Sequence, residues 1–481
     1  MNLYAINHRF HYELENLTRA FIPNEKISVL SADELPEVLE FPYILTQMED
    51  DICVTVKADG FEKNLKSPKT DDNELAMATL LYELLKEYTE TDLAWGLLTG
   101  VRPVKLFRKL KSEQGLEKAQ AYFRSKLLVS DAKINLSKLT CDNEQKILNL
   151  SEKKSFSLYI SIPFCPTRCS YCSFVSQSVE KAKHLVDPYV ELLCRELCET
   201  AKIAKDLGLK LETVYIGGGT PTSLEPHHLR KILTTVQNSF DVSSLREFTV
   251  EAGRPDTITE EKLRAILESG CDRLSVNPQT LNPQVLKIIG RNHTVEQFYD
   301  SFNLARKMGF KHINTDLIAG LPEDTAQSFM HTMEGILELS PESITIHTLS
   351  MKRSSALTGD KMKLLREDSL RVSEMLKFAY DNLSLSGYEP YYLYRQSKMV
   401  GNMENTGWSK PGFEGLYNVY IMDETHTILA CGAGAVTKLK DPLSDNIERI
   451  FNFKYPYEYN DRFSELLQRK SAIKPFYEKI L

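Results

Sequence analysis

The chain has 481 residues, a formal charge of −7, 42% hydrophobic and 26% charged residues. That length exceeds one ordinary core and points to two or three domains, and the balance is that of a globular protein, not a disordered or fibrous one. The negative charge argues against a nucleic-acid surface, and no apolar run reaches the eighteen or so residues that span a bilayer. Residues 1–19 contain no apolar signal core, so the expected compartment is the cytoplasm. There the nine cysteines read as metal-binding, redox-active or buried thiols, with no disulfide framework.

Residues 1–150 are expected to form an N-terminal α+β domain. "YAINHRFHYELENLTRAF" and "DICVTVKADGFEKNLKSP" read as strand-rich pieces around turn residues. Apolar positions at helical spacing predict a helix over Asp72–Tyr88. "LLTGVRPVKLFRKLKSEQ" gives a Gly-to-Pro break and then a basic helix, best read as a solvated face. Nothing here groups into a catalytic constellation.

From Ser155 the text alternates regularly. "SLYISIPF", "LETVYIGGG", "LREFTVEAG", "CDRLSVNP", "HINTDLIAGLP" and "ESITIHTLS" read as strands, each separated from the next by helical text. The helical stretch Asn282–Met308 is expected to break near Gly290. Six strand–helix repeats predict a parallel α/β array over residues 151–356, too few for a closed eight-fold barrel and hence a partial (βα)6 barrel. Ligands collect at the carboxyl ends of such strands. A third region, 357–481, holds a helix over Glu367–Ser386 and a Tyr- and Gly-rich tract, and is expected to cover the substrate.

Directly after the first strand of the array comes "FCPTRCSYCSF". Cys165, Cys169 and Cys172 form a C-x3-C-x2-C run with no close fourth partner. Three thiolates can hold a zinc with a fourth ligand, or three irons of a [4Fe–4S] cluster. Zinc sites usually draw on a second Cys or His pair, which is absent. Cys194 and Cys198 lie four apart on one helix face among apolar neighbours and read as core thiols. What remains is a cluster with one iron open to substrate. After the second strand, "YIGGGTPT" supplies glycines that permit close backbone approach to a ligand.

The cysteine run and the GGGTP turn together resemble the radical S-adenosylmethionine superfamily. Within it the chain resembles the oxygen-independent coproporphyrinogen III oxidases, the HemZ branch in particular. The motifs "LYISIPFCPTRCSYCSF", "YIGGGTPT", "FTVEAGRPD", "RLSVNPQTL", "GRNHT" and "NTDLIAGLPEDT" occur in the family's order. "GNMENTGWSKPG" and "LACGAGAVTKL" are similar to its carboxyl-terminal region. The resemblance implies a [4Fe–4S] cluster on Cys165, Cys169 and Cys172, with S-adenosylmethionine chelating the fourth iron.

The resemblance also implies residue roles. Tyr159 would pack by the cluster and cosubstrate and, with Arg291, take part in catalysis. Tyr171 would lie near S-adenosylmethionine. Gly218, Gly219 and Thr220 would meet its methionyl ammonium, and Glu251 its ammonium or ribose. Gln279, Arg291 and Asp316 match positions that bind S-adenosylmethionine, including a second molecule of it. The implied reaction converts two propionates of coproporphyrinogen III to vinyl groups, fed by a reducing electron donor. The best-known branch has a further cysteine where this chain has Phe174, and a Gly-Val pair where it has Asn277-Pro278. Haem chaperones of the same superfamily also lack that cysteine and stand as the alternative, beside a radical enzyme acting on another substrate.

Overall fold

The computed structural model describes residues 1–350, 366–396 and 399–479. Its chain divides into two compact units. The first comprises Met1–Cys141, Gly359–Glu374 and Leu393–Glu404. Five strands, β1 (Asn2–Ile6), β2 (Ser28–Ala32), β3 (Tyr43–Met48), β4 (Asp51–Ala58) and β5 (Phe61–Pro68), form a sheet in the order β2-β1-β3-β4-β5. The strict alternation in β4 turns Ile52, Val54 and Val56 to one face. There they meet Leu14 and Leu17 of helix α1 (His11–Phe21) and Met77, Leu81 and Leu85 of α2 (Asn73–Thr89). Each such fully buried aliphatic side chain contributes about 1.5–3 kcal/mol. Asp72 caps α2 by accepting from the amide of Leu75. The N-terminal stretch read as strand-rich is a strand only to Ile6. Leu14, Leu17, Thr18 and Phe21 then fall at helical spacing, and that period wins. The basic segment forms α3 (Pro103–Gln114) and is followed by α4 (Leu116–Ser125) and α5 (Asp131–Leu148).

The second unit comprises Asp142–Thr358, Met375–Tyr392 and Asn405–Leu481. Its core is the expected parallel array: β6 (Ser155–Ile162), β9 (Lys210–Gly218), β10 (Glu247–Gly253), β11 (Arg273–Val276), β12 (His312–Ala319) and β13 (Ser343–Thr348), hydrogen-bonded in that order. Two short strands, β7 (Phe164–Cys165) and β8 (Gln177–Ser178), pair within the cysteine loop. The crossovers are α6 (Lys183–Asp206), α7 (Pro226–Ser239), α8 (Glu260–Glu268), α9 (Pro283–Ile288) with α10 (Val295–Met308), and α11 (Ala326–Leu339). The break near Gly290 falls between α9 and α10, and α10 starts on a capping box of Thr294 and Gln297.

The array does not end at six strands. After α12 (Arg366–Leu385), the C-terminal third supplies β14 (Glu389–Tyr394) and β15 (Asn405–Ser409) beyond β13. After α13 (Leu416–Asp423) it supplies β16 (Thr427–Cys431), parallel to β6, with β17 (Val436–Lys440) and β18 (Ile447–Phe451) beyond it. Both edges of the array are thereby paired, so no long strand edge of it stays open. Helices α14 (Pro456–Asp461), α15 (Phe463–Lys470) and α16 (Ile473–Glu478) close the chain. Buried Lys470 and Tyr459 both reach Glu196 of α6. That pairing gives a buried carboxylate the partners it requires.

Candidate active site at the carboxyl ends of the strands

The cysteine loop leaves β6 and is tied to β9 by main-chain bonds. The amide of Gly219 donates to the Ile162 carbonyl and that of Thr220 to Phe164, each at 2.7 Å. A second anchor comes from the α9–α10 turn, where Ser170 donates its amide to Ile289 and Thr167 its hydroxyl to the Gly290 carbonyl. Glycine is required in the β9 turn on steric grounds. A Cβ on Gly219 would stand 2.6 Å from the Phe164 oxygen and 3.0 Å from Cys165 Sγ. One on Gly217 would stand 2.9 Å from Glu251 Oε2, and Gly218 has φ +103°. The glycine turn thus touches a loop sulfur at one end and a carboxylate at the other.

Three cysteine thiols on one loop can each ligate one iron of a [4Fe–4S] cluster and leave the fourth iron for another ligand. Burial pushes the Cys165 thiol up, and the Cys172 thiol up to about 11. Buried sulfurs of this kind become thiolates when a metal compensates their charge. Donors surround them: Thr220 Oγ1 lies 3.4 Å from Cys165 Sγ and Arg254 Nη1 3.7 Å from Cys169 Sγ. The residues present therefore suit a [4Fe–4S] cluster. Phe174, in the place of the best-known branch's further cysteine, is 61% exposed.

The acids sit further along the strand ends. Glu251 of β10 accepts from the Tyr215 hydroxyl of β9. Burial foremost, with Asp316 nearby, raises its carboxyl to about 7 despite that bond and the fields of Arg273 and His347. Asp316 of β12 behaves oppositely. Burial works to raise it, but hydrogen bonds from His347, Asn314 and Thr345 hold it below the usual carboxylate range. Asn277 and Asn314 each donate to it at 2.8 Å. Gln279 is pinned between the Asp316 carbonyl and the Ile318 amide, with a left-handed φ of 69°. A non-glycine residue in that region stores strain of the kind found at functional sites.

Arg291 is buried and donates to the Tyr171 hydroxyl at 3.2 Å and to the Asn277 carbonyl. These contacts bring Tyr171 and Arg291 together beside the cysteine loop. Tyr159 lies in a stack with Tyr215 and Tyr417, ring centroids 6.3 and 6.1 Å away, and Tyr215 and Tyr417 are 4.4 Å apart. Tyr417 is held by α13, whose Leu416 and Tyr417 amides donate to Glu247 at the start of β10. The three rings make an apolar layer across the array below Glu251.

Four residues escaped the sequence reading. Arg254 stands three places after Glu251 in the quoted "EAGRPD", where the unusual signal was a basic residue directly after a strand. Asn277 was noted only as a departure from a Gly-Val pair. His293, in "GRNHT", is buried with neither ring nitrogen hydrogen-bonded. Tyr417 carried no signal, because α13 has no amphipathic period to place it.

Comparison with known proteins agrees with this geometry. Residues 159–336 match the radical SAM superfamily. The chain is 37% identical to "Oxygen-independent coproporphyrinogen-III oxidase-like protein HemZ" of Bacillus subtilis (strain 168), over 96% of this chain and 95% of that protein. It is 31% identical to "Heme chaperone HemW" of Lactococcus lactis subsp. lactis (strain IL1403), over 67% of this chain and 80% of the relative. Among solved structures it is similar to coproporphyrinogen III oxidase (HemN) from Escherichia coli, a radical SAM enzyme. The TM-score there is 0.52 at 23% identity, over 66% of this chain and 71% of that one. With a relative this similar along nearly its whole length, the chain belongs to the radical SAM superfamily and, within it, to the HemZ-like oxygen-independent coproporphyrinogen-III oxidase-like proteins, whose cofactors are a [4Fe–4S] cluster and S-adenosylmethionine.

Proposed function

We propose that this protein oxidatively decarboxylates propionate side chains of coproporphyrinogen III to vinyl groups, giving protoporphyrinogen IX. The observation that carries the proposal is the glycine turn of β9, set between Cys165 Sγ and the Glu251 carboxylate. Cys165, Cys169 and Cys172 would hold the cluster, and the glycine turn between Cys165 and Glu251 would leave room for a cosubstrate beside it. When bound, the cofactors would supply the radical chemistry for taking a hydrogen atom from a propionate β-carbon. Each propionate carboxylate then releases carbon dioxide and passes one further electron to an electron acceptor, leaving the vinyl group; its other electron and its proton have left together as the hydrogen atom.

The protein's own residues orient and shield. Glu251 pairs with the cosubstrate's ammonium or ribose hydroxyls. Gly218, Gly219 and Thr220 let that ligand approach the main chain. Gln279, Arg291 and Asp316 line the adjoining strand ends, and Tyr171 braces Arg291. The Tyr159–Tyr215–Tyr417 layer excludes water from below, which a radical step requires. A reducing partner delivers the first electron. Among the described residues no helix is long and apolar enough to cross a membrane.

A second reading, a haem-binding chaperone, is favoured by the likeness to HemW and by Phe174 standing where the best-known oxidase branch has a cysteine. Anaerobic incubation of the cluster-loaded protein with dithionite, S-adenosylmethionine and coproporphyrinogen III distinguishes them. Vinyl-bearing product supports the oxidase. Tight haem binding without turnover supports the chaperone, and 5′-deoxyadenosine without tetrapyrrole product indicates another substrate.

A further inference from the structure

Arg254 is a buried guanidinium aimed at a cluster cysteine. It is 3% exposed, an uncommon position for an arginine unless it is paired. Asp256 grips it as a fork, Nε to Oδ1 at 3.0 Å and Nη2 to Oδ2 at 2.8 Å. The remaining nitrogen, Nη1, donates to Thr167 Oγ1 at 3.0 Å and lies 3.7 Å from Cys169 Sγ. Arg291 also lies against Cys169. The other two ligands take hydrogen bonds from neutral donors, although the fields of Arg254 and Arg168 also reach Cys165 and Cys172 respectively. Cys165 receives the Thr220 hydroxyl, and Cys172 the main chain of Phe174. His293, next to both arginines, is kept uncharged by burial and by their fields, so it adds no third cation. Cys169 is thus the sulfur to which two buried guanidiniums donate.

We propose that Arg254, fixed by Asp256, sets the reduction potential of the cluster through Cys169. An electron added to an iron–sulfur cluster increases the negative charge on its sulfurs, and a buried cation that donates to one of them stabilises the reduced form. Low local dielectric strengthens the effect. Arg254 is a positioning and tuning residue, because it acts through Cys169. The proposal holds whether the protein transforms or carries a tetrapyrrole. Arg291 is the poorer probe, since it also engages Tyr171 and Asn277.

The test is a redox titration of the reconstituted full-length protein, without tetrapyrrole, followed by electron paramagnetic resonance and normalised to iron content. Arg254→Met is expected to lower the reduced-to-oxidised ratio at fixed potential by about tenfold, equivalent to 59 mV for one electron. Arg254→Lys, which keeps the charge, should stay closer to wild type. Asp256→Asn, which leaves the guanidinium without its counter-charge, should shift the potential the other way. A merely structural role would lower cluster loading in both variants without opposite shifts. Wild-type potential in Arg254→Met, or shifts of the same sign in both variants, would overturn the proposal. If Arg254→Met holds no cluster, Asp256→Asn decides alone: a rise supports the proposal and no change overturns it.

Discussion

Replacing Gly219 by alanine puts the site's geometry to a direct test. The added methyl would stand 2.6 Å from the Phe164 oxygen, 2.8 Å from the Ile162 oxygen and 3.0 Å from Cys165 Sγ. Ordinary contact starts near 3.4 Å, so the first of these is roughly 0.8 Å short, and the atoms that must move are main-chain carbonyls. Those carbonyls accept the two 2.7 Å bonds that tie the cysteine loop to β9. Overpacking of this kind costs about 1–3 kcal/mol, and loosening each hydrogen bond about 1 kcal/mol more. A total of about 3–5 kcal/mol is expected, with Cys165 displaced from the cluster. Gly309→Ala is the comparator. It has φ +104° but nothing within 4 Å, so only a dihedral penalty of about 1 kcal/mol applies, far from the loop. Urea unfolding of the metal-free chains gives the stabilities, and iron content with visible absorbance after reconstitution gives the loading. Equal loading and equal midpoints for the two variants would refute the steric argument.

Alanine at Cys165, Cys169 or Cys172 should abolish the cluster's visible absorbance, whereas Cys194→Ala and Cys271→Ala should retain it; loss in either of the latter would point to a fourth ligand. Glu251 titrates near 7 in the folded chain, above its ordinary 4.5, so the fold favours its protonated form. Stability of the metal-free protein should therefore fall as pH rises from about 4.5 through 7, by up to about 3 kcal/mol. Glu251→Gln should flatten that part of the profile in urea titrations at pH 5 to 8, and an unchanged slope would contradict the assignment. Asp316→Asn turns an acceptor of two amide bonds into a group that must donate at one of them. It should keep its iron yet lose the change that S-adenosylmethionine causes in the reduced cluster's resonance, so a wild-type response would remove Asp316 from the cosubstrate site.

The parallel array was legible because its strands are buried on both faces and read as short apolar runs between amphipathic helices. The cysteine run and the glycine turn were legible because both are local in sequence. What stayed hidden is long-range. That β16 would extend the array beside β6 depends on pairing across more than 250 residues, and no period in the Tyr-rich tract announces it. The N-terminal helix was masked by aromatic and β-branched residues that suit strands as well. Glu251 was visible as a strand-end acid, but its elevated titration depends on burial and on Tyr215, Asp316, Arg273 and His347 from four other strands. Arg254 was in plain sight within a quoted motif. Only folding shows that its third nitrogen reaches Cys169.

The most direct measurement is Mössbauer spectroscopy of the ⁵⁷Fe-reconstituted protein with and without S-adenosylmethionine. Three protein thiolates leave one iron of the cube for the cosubstrate, so a single iron subsite should change on its addition while the others keep their parameters. A spectrum that S-adenosylmethionine leaves unaltered, or a cluster whose irons all carry cysteine ligands, would contradict the assignment of the Cys165–Cys169–Cys172 loop as a three-ligand site.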